Sequence, residues 1–285
     1  MKQQKYTIKD FNLDFPDDNA CMDWLKDFRF PEGINCEKCG KVTKHHKVTN
    51  RACYACDYCG SQVYPMVGTI FEKSVTPLKL WFYAIYLMSS TRCGISAKQI
   101  QRETGVTYKT AWRMFKQIRS LLCEKESILK TGQVEVDETY MGGVRQGKRG
   151  RGAEGKTPVI GIVERKGRLS ANKTADCSSQ TIYPMVEKQV SKEANVYTDE
   201  FVAYDGLKRL GYNHIRVQHN AKVYVVGQAH TNTIEGFWSL LKRGINGVYH
   251  SVSNKYLQTY INEYGFRYNH RNDEQPMFQT VLKRV

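Results

Sequence analysis

Residues 230–244 read HTNTIEGFWSLLKRG, and the prediction of the fold starts from this stretch. Its large apolar residues recur at helical spacing, which predicts an amphipathic helix with one buried face. These residues are Ile234, Phe237, Trp238 and Leu241. Glu235 and Lys242 share the polar side of the helix and lie about 10.5 Å apart along its axis. The helix therefore presents a carboxylate and an ammonium on one side, which indicates a functional site.

Two aspartates, Asp137 and Asp199, each adjoin a strand-like run. The run 133–140, QVEVDETY, opens a series of predicted elements. Strands are predicted at 133–140, 158–165, 168–173, 195–199 and 214–218, and helices at 179–190, at 201–210 and around Glu235 and Tyr256. Three strands followed by alternating helix and strand is the order of an RNase H-like fold. In that order Asp137 and Asp199 come to lie side by side, and we expect a later helix to bring Glu235 toward them.

Several other acids compete for the same role. Asp205 is a rival to Asp199, but it falls inside a predicted helix rather than at a strand end. Glu135 and Glu138 flank Asp137 and are interpreted as solvated neighbours. Glu263 is interpreted as a residue on the surface of a helix. We therefore expect Asp137, Asp199 and Glu235 to form the acidic site.

The charge of the chain indicates its partner. Lysine and arginine number 43 against 28 aspartate and glutamate residues, so the net charge is +15. That excess predicts a polyanion, and double-stranded DNA is the expected one. A membrane surface is the alternative, but the longest apolar run, Leu80–Met88, is too short to span a bilayer. Because Met1–Tyr6 lacks the apolar stretch of a signal peptide, we expect a cytoplasmic protein with reduced thiols.

Five of the nine cysteines lie between residues 36 and 59. Four of them form the pattern Cys-x2-Cys-x16-Cys-x2-Cys, which is typical of a structural Zn²⁺ site with four thiolate ligands. The predicted ligands are Cys36, Cys39, Cys56 and Cys59. Cys53 also forms a Cys-x2-Cys pair with Cys56, but only Cys56 and Cys59 repeat the following glycine of the first pair. His45 and His46 are further alternatives and are interpreted as solvated residues.

Residues 96–120 resemble a helix-turn-helix. Ser96 and Thr107 are candidate N-caps, and Gly105 supplies the turn between the two helices. The second helix carries a basic face that is expected to contact DNA: Lys109, Arg113, Lys116 and Arg119. The alternative is a solvated basic face on an ordinary helical bundle.

Further DNA contacts are predicted in the C-terminal half. Residues 143–156 are rich in glycine and are interpreted as a hairpin loop that faces phosphate, with a solvated loop as the alternative. The expected contacts there are Lys148, Arg149 and Arg151, joined by Lys242 and Arg243 on the later helix. The chain is thus predicted to be an α+β protein of several domains. They are an N-terminal helix and zinc ribbon (1–75), a helix-turn-helix segment (76–127) and an RNase H-like mixed α/β catalytic domain (128–285).

The spacing of the acids gives a more specific resemblance. Sixty-one residues separate Asp137 from Asp199, and 35 separate Asp199 from Glu235. This resembles the DDE domain of bacterial insertion-sequence transposases. Four stretches together resemble the ISXO-like family: VGTIF at 67–71 after the ribbon, VDETYMGG at 136–143, HTNxxE at 230–235 and YINEYGFRYNHR at 260–271. The resemblance covers nearly the whole chain.

The resemblance implies a role for each matching residue. Asp137, Asp199 and Glu235 are expected to hold two Mg²⁺ ions, or Mn²⁺, and Lys242 to hold a DNA phosphate. Asn232 remains an alternative third ligand, since some members of the family are described as carrying asparagine there. The implied function is cleavage of element ends and strand transfer into target DNA, by a homo-oligomer assembled on DNA. A DNA-binding regulator without enzymatic activity and a nuclease without strand transfer are the alternatives.

Overall fold

The computed structural model describes residues 5–124, 129–142, 155–217 and 230–285, and the chain divides into two units. The first unit contains Met1–Thr91, Ile95–Leu121 and Asp273–Val285, and the second contains Arg92–Gly94 and Leu122–Asn272. The C-terminal segment therefore groups with the N-terminal half of the chain. The division into three segments that we derived from the sequence stays a prediction.

The first unit begins with two capped helices and a small ribbon. Helix α1 (Ile8–Asp14) starts with a capping box between Thr7 and Asp10, and α2 (Asp18–Arg29) starts at Asp17, whose carboxylate accepts from the N–H of Ala20. The ribbon is an antiparallel sheet of β1 (His45–Lys47), β2 (Tyr54–Cys56) and β3 (Gln62–Val63). The strands are short, so this sheet offers little apolar area of its own.

Aromatic packing stabilises the first unit around helix α3 (Leu78–Ser90). Its Trp81 and Phe82 are fully buried and contact Phe71. The ring of Phe11 on α1 also packs against the ring of Phe278 on the C-terminal helix (Met277–Leu282), with 5.8 Å between the ring centres. The C-terminal helix is thus part of the first unit's core.

Two helices joined by a glycine turn occur where the helix-turn-helix was predicted. They are α4 (Ala97–Thr104) and α5 (Tyr108–Leu121), and Gly105 between them has φ 72°. The hydroxyl of Ser96 accepts from the N–H of Gln99, and the hydroxyl of Thr107 accepts from the N–H of Thr110. The cap signals in the sequence therefore placed both helix starts correctly.

The second unit is built on a five-stranded mixed sheet with the order β6-β5-β4-β7-β8. Its strands are β4 (Gln133–Met141), β5 (Thr157–Glu164), β6 (Leu169–Lys173), β7 (Asn195–Thr198) and β8 (Asn213–Arg216). The first three are antiparallel neighbours, whereas β4, β7 and β8 run parallel. This order confirms the predicted RNase H-like fold.

Helices cover both faces of this sheet. One face packs on α6 (Ser179–Gln189) and on a 3₁₀ helix, Val202–Leu207, where a longer α-helix was predicted. The other face packs on α7 (Asn232–Gly244), which continues into a π-helical turn at Ile245–Tyr249, and on α8 (Asn254–Asn269). β4 is therefore buried on both sides, and a polar residue on it needs a partner. None of the described helices is long and apolar enough to cross a membrane.

Candidate active site

The carboxylates of Asp137 and Asp199 meet where two neighbouring parallel strands run side by side. In the register of β4 and β7, Glu135 lies opposite Tyr197, and two further residues along each chain bring Asp137 level with Asp199. Carboxylate oxygens of Asp137, Glu138 and Asp199 lie within 4.8 Å of one another. The structure thus brings together two of the three predicted acids and adds Glu138, which we had interpreted as a solvated neighbour and which is only 9% exposed.

The cluster concentrates negative charge in a partly buried place, where Glu138 is buried and Asp137 and Asp199 are half-buried. The pKa of Asp137 is raised to about 7, mainly by burial and next by the charges of Glu138 and Asp199. The hydroxyl of Tyr204 donates to Glu138 at 2.8 Å, and burial beside these acids raises the pKa of Tyr204 well above its usual value. Clustered carboxylates repel one another, and a hard divalent cation offsets that repulsion through oxygen ligands. The donor set therefore fits such a cation.

Trp238 of α7 orients Asp137. Its indole N–H donates to Oδ2 of Asp137 at 2.9 Å, and its ring is 4% exposed. Gly161 on β5 lies opposite Asp137 in the sheet, and a Cβ there would come within 2.6 Å of the Trp238 ring and 2.7 Å of Ile234. Only glycine therefore lets α7 approach the sheet closely enough for this hydrogen bond.

Glu235 lies in the first turn of α7, is exposed, and accepts a hydrogen bond from the hydroxyl of Thr231 at 2.7 Å. It lines an open groove of about 780 Å³ together with Asp137 and Lys242. It does not belong to the group of acids within 4.8 Å of one another. Asn232, the alternative ligand, is exposed at the first position of α7 and is not among the described residues that line the groove.

Lys242 lines the same groove as Asp137 and Glu235. Trp238, which contacts Asp137, is one turn after Glu235 and one turn before Lys242, or about 4.5 Å and 6 Å along the helix axis. Burial lowers the pKa of Lys242, and the nearby charge of Asp137 opposes that change only in part. Asp137 thus contacts the middle of the helix, between Glu235 and Lys242, and all three residues line the same groove.

Glu135 is a residue whose role the sequence interpretation missed. Its side chain is fully buried and accepts from Nε of Arg165 at 2.7 Å, from the hydroxyl of Thr233 at 2.9 Å and from the N–H of Ile234 at 2.9 Å. Nδ1 of His230 is 3.2 Å away. These contacts attach the start of α7 to β4 and so position Glu235. Strand alternation was the available signal, since Glu135 shares a face with Asp137.

The four predicted zinc ligands lie together in the ribbon. The sulfur atoms of Cys36, Cys39, Cys56 and Cys59 are within 4.8 Å of one another. A hydrogen bond from the hydroxyl of Thr43, at 3.0 Å, is the main reason that the pKa of Cys56 is lowered to about 6. Cys53 is buried outside this group. The pKa of Cys36 is lowered as well, so four sulfur atoms at these separations, two of them favoured as thiolates, fit a tetrahedral metal ion.

The predicted DNA contacts divide into three groups. Lys109, Arg113 and Lys116 are exposed on α5. Arg119 is only 2% exposed, and its guanidinium lies 3.7 Å from the ring centre of Phe115, so its assignment to the DNA-facing surface is wrong. At about 100° per residue it is turned some 60° from Lys116 toward the core, which the basic spacing alone does not reveal.

The remaining contacts are on the second unit. Arg243 is exposed and lines the acidic groove with Lys242. Lys148, Arg149 and Arg151 lie outside the described residues.

Comparison with known proteins agrees with this architecture. Residues 130–269 match the ISXO2-like transposase domain, and residues 16–62 match the transposase zinc-ribbon domain. These ranges enclose the acidic cluster and the four cysteines. The chain belongs to the ISXO2-like transposase family.

Individual relatives are more distant. An uncharacterized protein in the transposable element ISH50 of Halobacterium salinarum is 28% identical over 89% of this chain and 91% of the relative. A transposase-like protein of Haemophilus influenzae is 27% identical over 38% of this chain and 84% of its own length. Among solved structures, a pre-cleavage Mos1 transpososome aligns with 65% of this chain and 73% of its own, at 12% identity and a TM-score of 0.27. That score is too low to support an argument about the fold.

Proposed function

We propose that this protein is a transposase that cleaves DNA at the ends of its element and joins the freed 3′-hydroxyl to target DNA. The observation that carries the proposal is the convergence of Asp137 and Asp199 from neighbouring strands, in a chain of a transposase family. The relative encoded in a transposable element, which this chain matches over nearly its full length, supports it. A regulator that only binds DNA has no need of a partly buried acidic cluster, because the repulsion between its carboxylates is costly.

Asp137, Asp199 and Glu235 are the proposed ligands of two Mg²⁺ ions, or Mn²⁺, with Glu138 close enough to assist. Bound in this way, paired cations activate the attacking oxygen and stabilise the leaving oxygen of an in-line displacement at phosphorus. The protein's own contribution is orientation: the Trp238 indole holds Asp137, and Glu135 holds the helix that carries Glu235. Glu235→Gln and Asn232→Ala test the third ligand, because only loss of the true ligand stops the reaction.

DNA contacts are proposed on both units. Lys242 and Arg243 offer positive charge to a phosphate next to the acidic groove. Lys109, Arg113 and Lys116 form an exposed basic face on the second helix of the helix-turn-helix. Because the two ends of an element must be held together, we propose a homo-oligomer assembled on DNA.

Zn²⁺ is the proposed ion of the ribbon, held by Cys36, Cys39, Cys56 and Cys59. A site closed by four thiolates has no open position for substrate, so its role is structural. Metal analysis should find about one zinc per chain. Cys56→Ser should lose that zinc, whereas Cys53→Ser should keep it.

The test of the activity is strand transfer with DNA that carries the element's own ends. The wild-type protein with Mg²⁺ should cut the ends and join them to a target plasmid, whereas Asp137→Asn and Asp199→Asn should bind the same DNA and do neither. Cleavage without joining would instead identify a nuclease. Binding without either reaction in the wild-type protein would identify a regulator.

A further inference from the structure

A second cavity, of about 240 Å³, lies within the second unit between the edge strand β6, the end of α6 and the C-terminal half of α8. It shares no lining residue with the acidic groove. Its polar lining includes Glu124, Lys130, Arg168, Lys188, Gln189 and Asn262. Three of these side chains are cations and one is a carboxylate, so the cavity carries net positive charge.

Lys130 is the unusual member of this lining. It is only 2% exposed, and its backbone is fixed on both sides, by hydrogen bonds with Gln189 at 2.9 Å and Ser191 at 2.8 Å. Lys130 lines the cavity, and Glu164, the acid whose charge acts on it, forms no ion pair with it. Burial lowers the pKa of Lys130, and the more distant Glu164 opposes that change only in part. A buried cation without a partner is costly, and an anion in the cavity would remove that cost.

Gln189 is a second buried polar side chain in the lining of this cavity. Gln189 is 6% exposed, and its Oε1 has no hydrogen-bond partner. Nearby, Oδ1 of Asn262 accepts from Gln258 at 2.7 Å, which leaves the Asn262 NH₂ group available as a donor. The one carboxylate, Glu124, is already engaged by Arg168 at 3.4 Å and His270 at 2.9 Å. The cavity therefore offers donors and one acceptor to a compact, highly charged ligand.

We propose that this cavity binds a tetrahedral oxyanion of the phosphate class, with Lys130 as its central contact. Several oxygen acceptors on one small anion match an ammonium, an amide NH₂ group and the cations at the rim. A hydrogen phosphate also carries an O–H that can donate to Oε1 of Gln189. A phosphodiester has no such proton, and the Gln189 amide would then turn its NH₂ group inward. The occupant is therefore either free phosphate or a phosphate of a nucleic acid.

The test compares full-length wild-type protein with Lys130→Met, which keeps the side chain's length and removes its charge. Lys208→Met, at an exposed lysine that does not line the cavity, is the matched control. Melting temperature and calorimetric titration are measured in potassium phosphate against potassium chloride, at equal pH and ionic strength and without magnesium. Phosphate should raise the melting temperature of the wild type and of Lys208→Met saturably, by at least about 2 °C at ten times Kd. Lys130→Met should lose this rise and weaken the Kd at least tenfold.

An equal phosphate effect in the wild type and Lys130→Met, or no saturable binding to the wild type, overturns the proposal. If Lys130→Met does not fold, Asn262→Asp decides, because a carboxylate placed in the cavity should abolish phosphate binding. Duplex DNA identifies the source of the anion. A salt slope reduced by about one unit in Lys130→Met, with DNA competing against phosphate, indicates a nucleic acid phosphate. An unchanged slope, with phosphate binding lost, indicates the free anion.

Discussion

Two acids on one strand, two residues apart and on the same face, have opposite surroundings. Glu135 is fully buried, forms an ion pair with Arg165 and accepts from the start of α7. Asp137 receives an indole N–H and lies against two further carboxylates, and it forms no ion pair with any residue that the structure describes. A buried acid that the chain neutralises itself serves the fold. A half-buried acid beside like charges, such as Asp137, is instead suited to bind a cation.

Glu263 on α8 extends the comparison. It was interpreted as a surface residue, which is wrong: it is fully buried and pairs with Arg267 at 2.6 Å, one helical turn away. It thus resembles Glu135 rather than Asp137. Arginine partners within the chain therefore separate Glu135 and Glu263 from Asp137.

The largest expected effect is on catalysis at the acidic cluster. Asp137→Asn should lower the rate of end cleavage at least about 10³-fold, because several kcal/mol of transition-state stabilisation depend on the bound cations. DNA affinity and folding should be retained. The control is Asp205→Asn. Asp205 is an exposed acid on the 3₁₀ helix, where it forms an ion pair with Arg216 of β8. An active Asp137→Asn protein beside an inactive Asp205→Asn protein would contradict the assignment.

Removing the structural acid Glu135 should instead lower the stability of the fold. Glu135→Ala leaves Arg165 buried opposite an empty place, so the free energy of unfolding should fall by about 3–5 kcal/mol. Glu187→Ala, which removes an exposed partner of Lys192 at 3.6 Å, should change it by about 0.5 kcal/mol or less. Urea unfolding measures both. Equal effects would show that the network at the start of α7 is unimportant.

The pH dependence should have the sign that a raised carboxyl pKa dictates. The pKa of the Asp137 carboxyl is about 7 in the folded protein and 3.8 in the unfolded chain. The folded protein therefore binds the proton of this carboxyl more tightly. Without divalent cations, stability should therefore fall as the pH rises from about 4 to 7, by on the order of a few kcal/mol. Mg²⁺ should reduce the fall, and Asp137→Asn should remove it. A fall of the same size in Asp137→Asn would assign it to other groups.

The packing that orients Asp137 can be broken without touching an acid. Gly161→Ala should destabilise the fold by about 1–3 kcal/mol and reduce cleavage, since the new methyl group displaces Trp238. Gly236→Ala on α7 meets no atom within 4 Å and should stabilise the helix by about 0.5–1 kcal/mol. Tryptophan fluorescence and urea unfolding distinguish the two variants. A harmless Gly161→Ala would mean that α7 tolerates a shift.

The smallest effect concerns DNA binding by the first unit. Arg113→Ala with Lys116→Ala should lower the slope of log affinity against log salt by about two units, one for each phosphate that the protein no longer neutralises. Cleavage of DNA that is already bound should be unchanged. The control of equal charge is Lys208→Ala with Arg209→Ala, both exposed on the second unit. The same slope in both double variants would identify the basic face of α5 as a solvated surface.

Much of the architecture followed from local patterns. Helical spacing, cap residues and the glycine turn located α4, α5 and α7, and the order of elements along the chain predicted the RNase H-like fold. The prediction was weaker where hydrogen bonding decides between similar helices, as at Val202–Leu207, which is a 3₁₀ helix. It also failed for Arg119, because the same basic spacing continues from the exposed side of α5 into the core.

The sequence alone determined which residue types recur at which spacing. This sufficed to predict that the two cysteine pairs come together and that Asp137 and Asp199 lie side by side. Their positions follow from local chain geometry and from the pairing of parallel strands, both of which the pattern encodes. Only the tertiary structure decided that Glu135 and Glu263 are buried in ion pairs, that Glu138 joins the acidic cluster, and that Lys130 faces a cavity. The physical reason is that the cost of burying a charge depends on groups that are distant in sequence and become neighbours only when the sheet and helices pack.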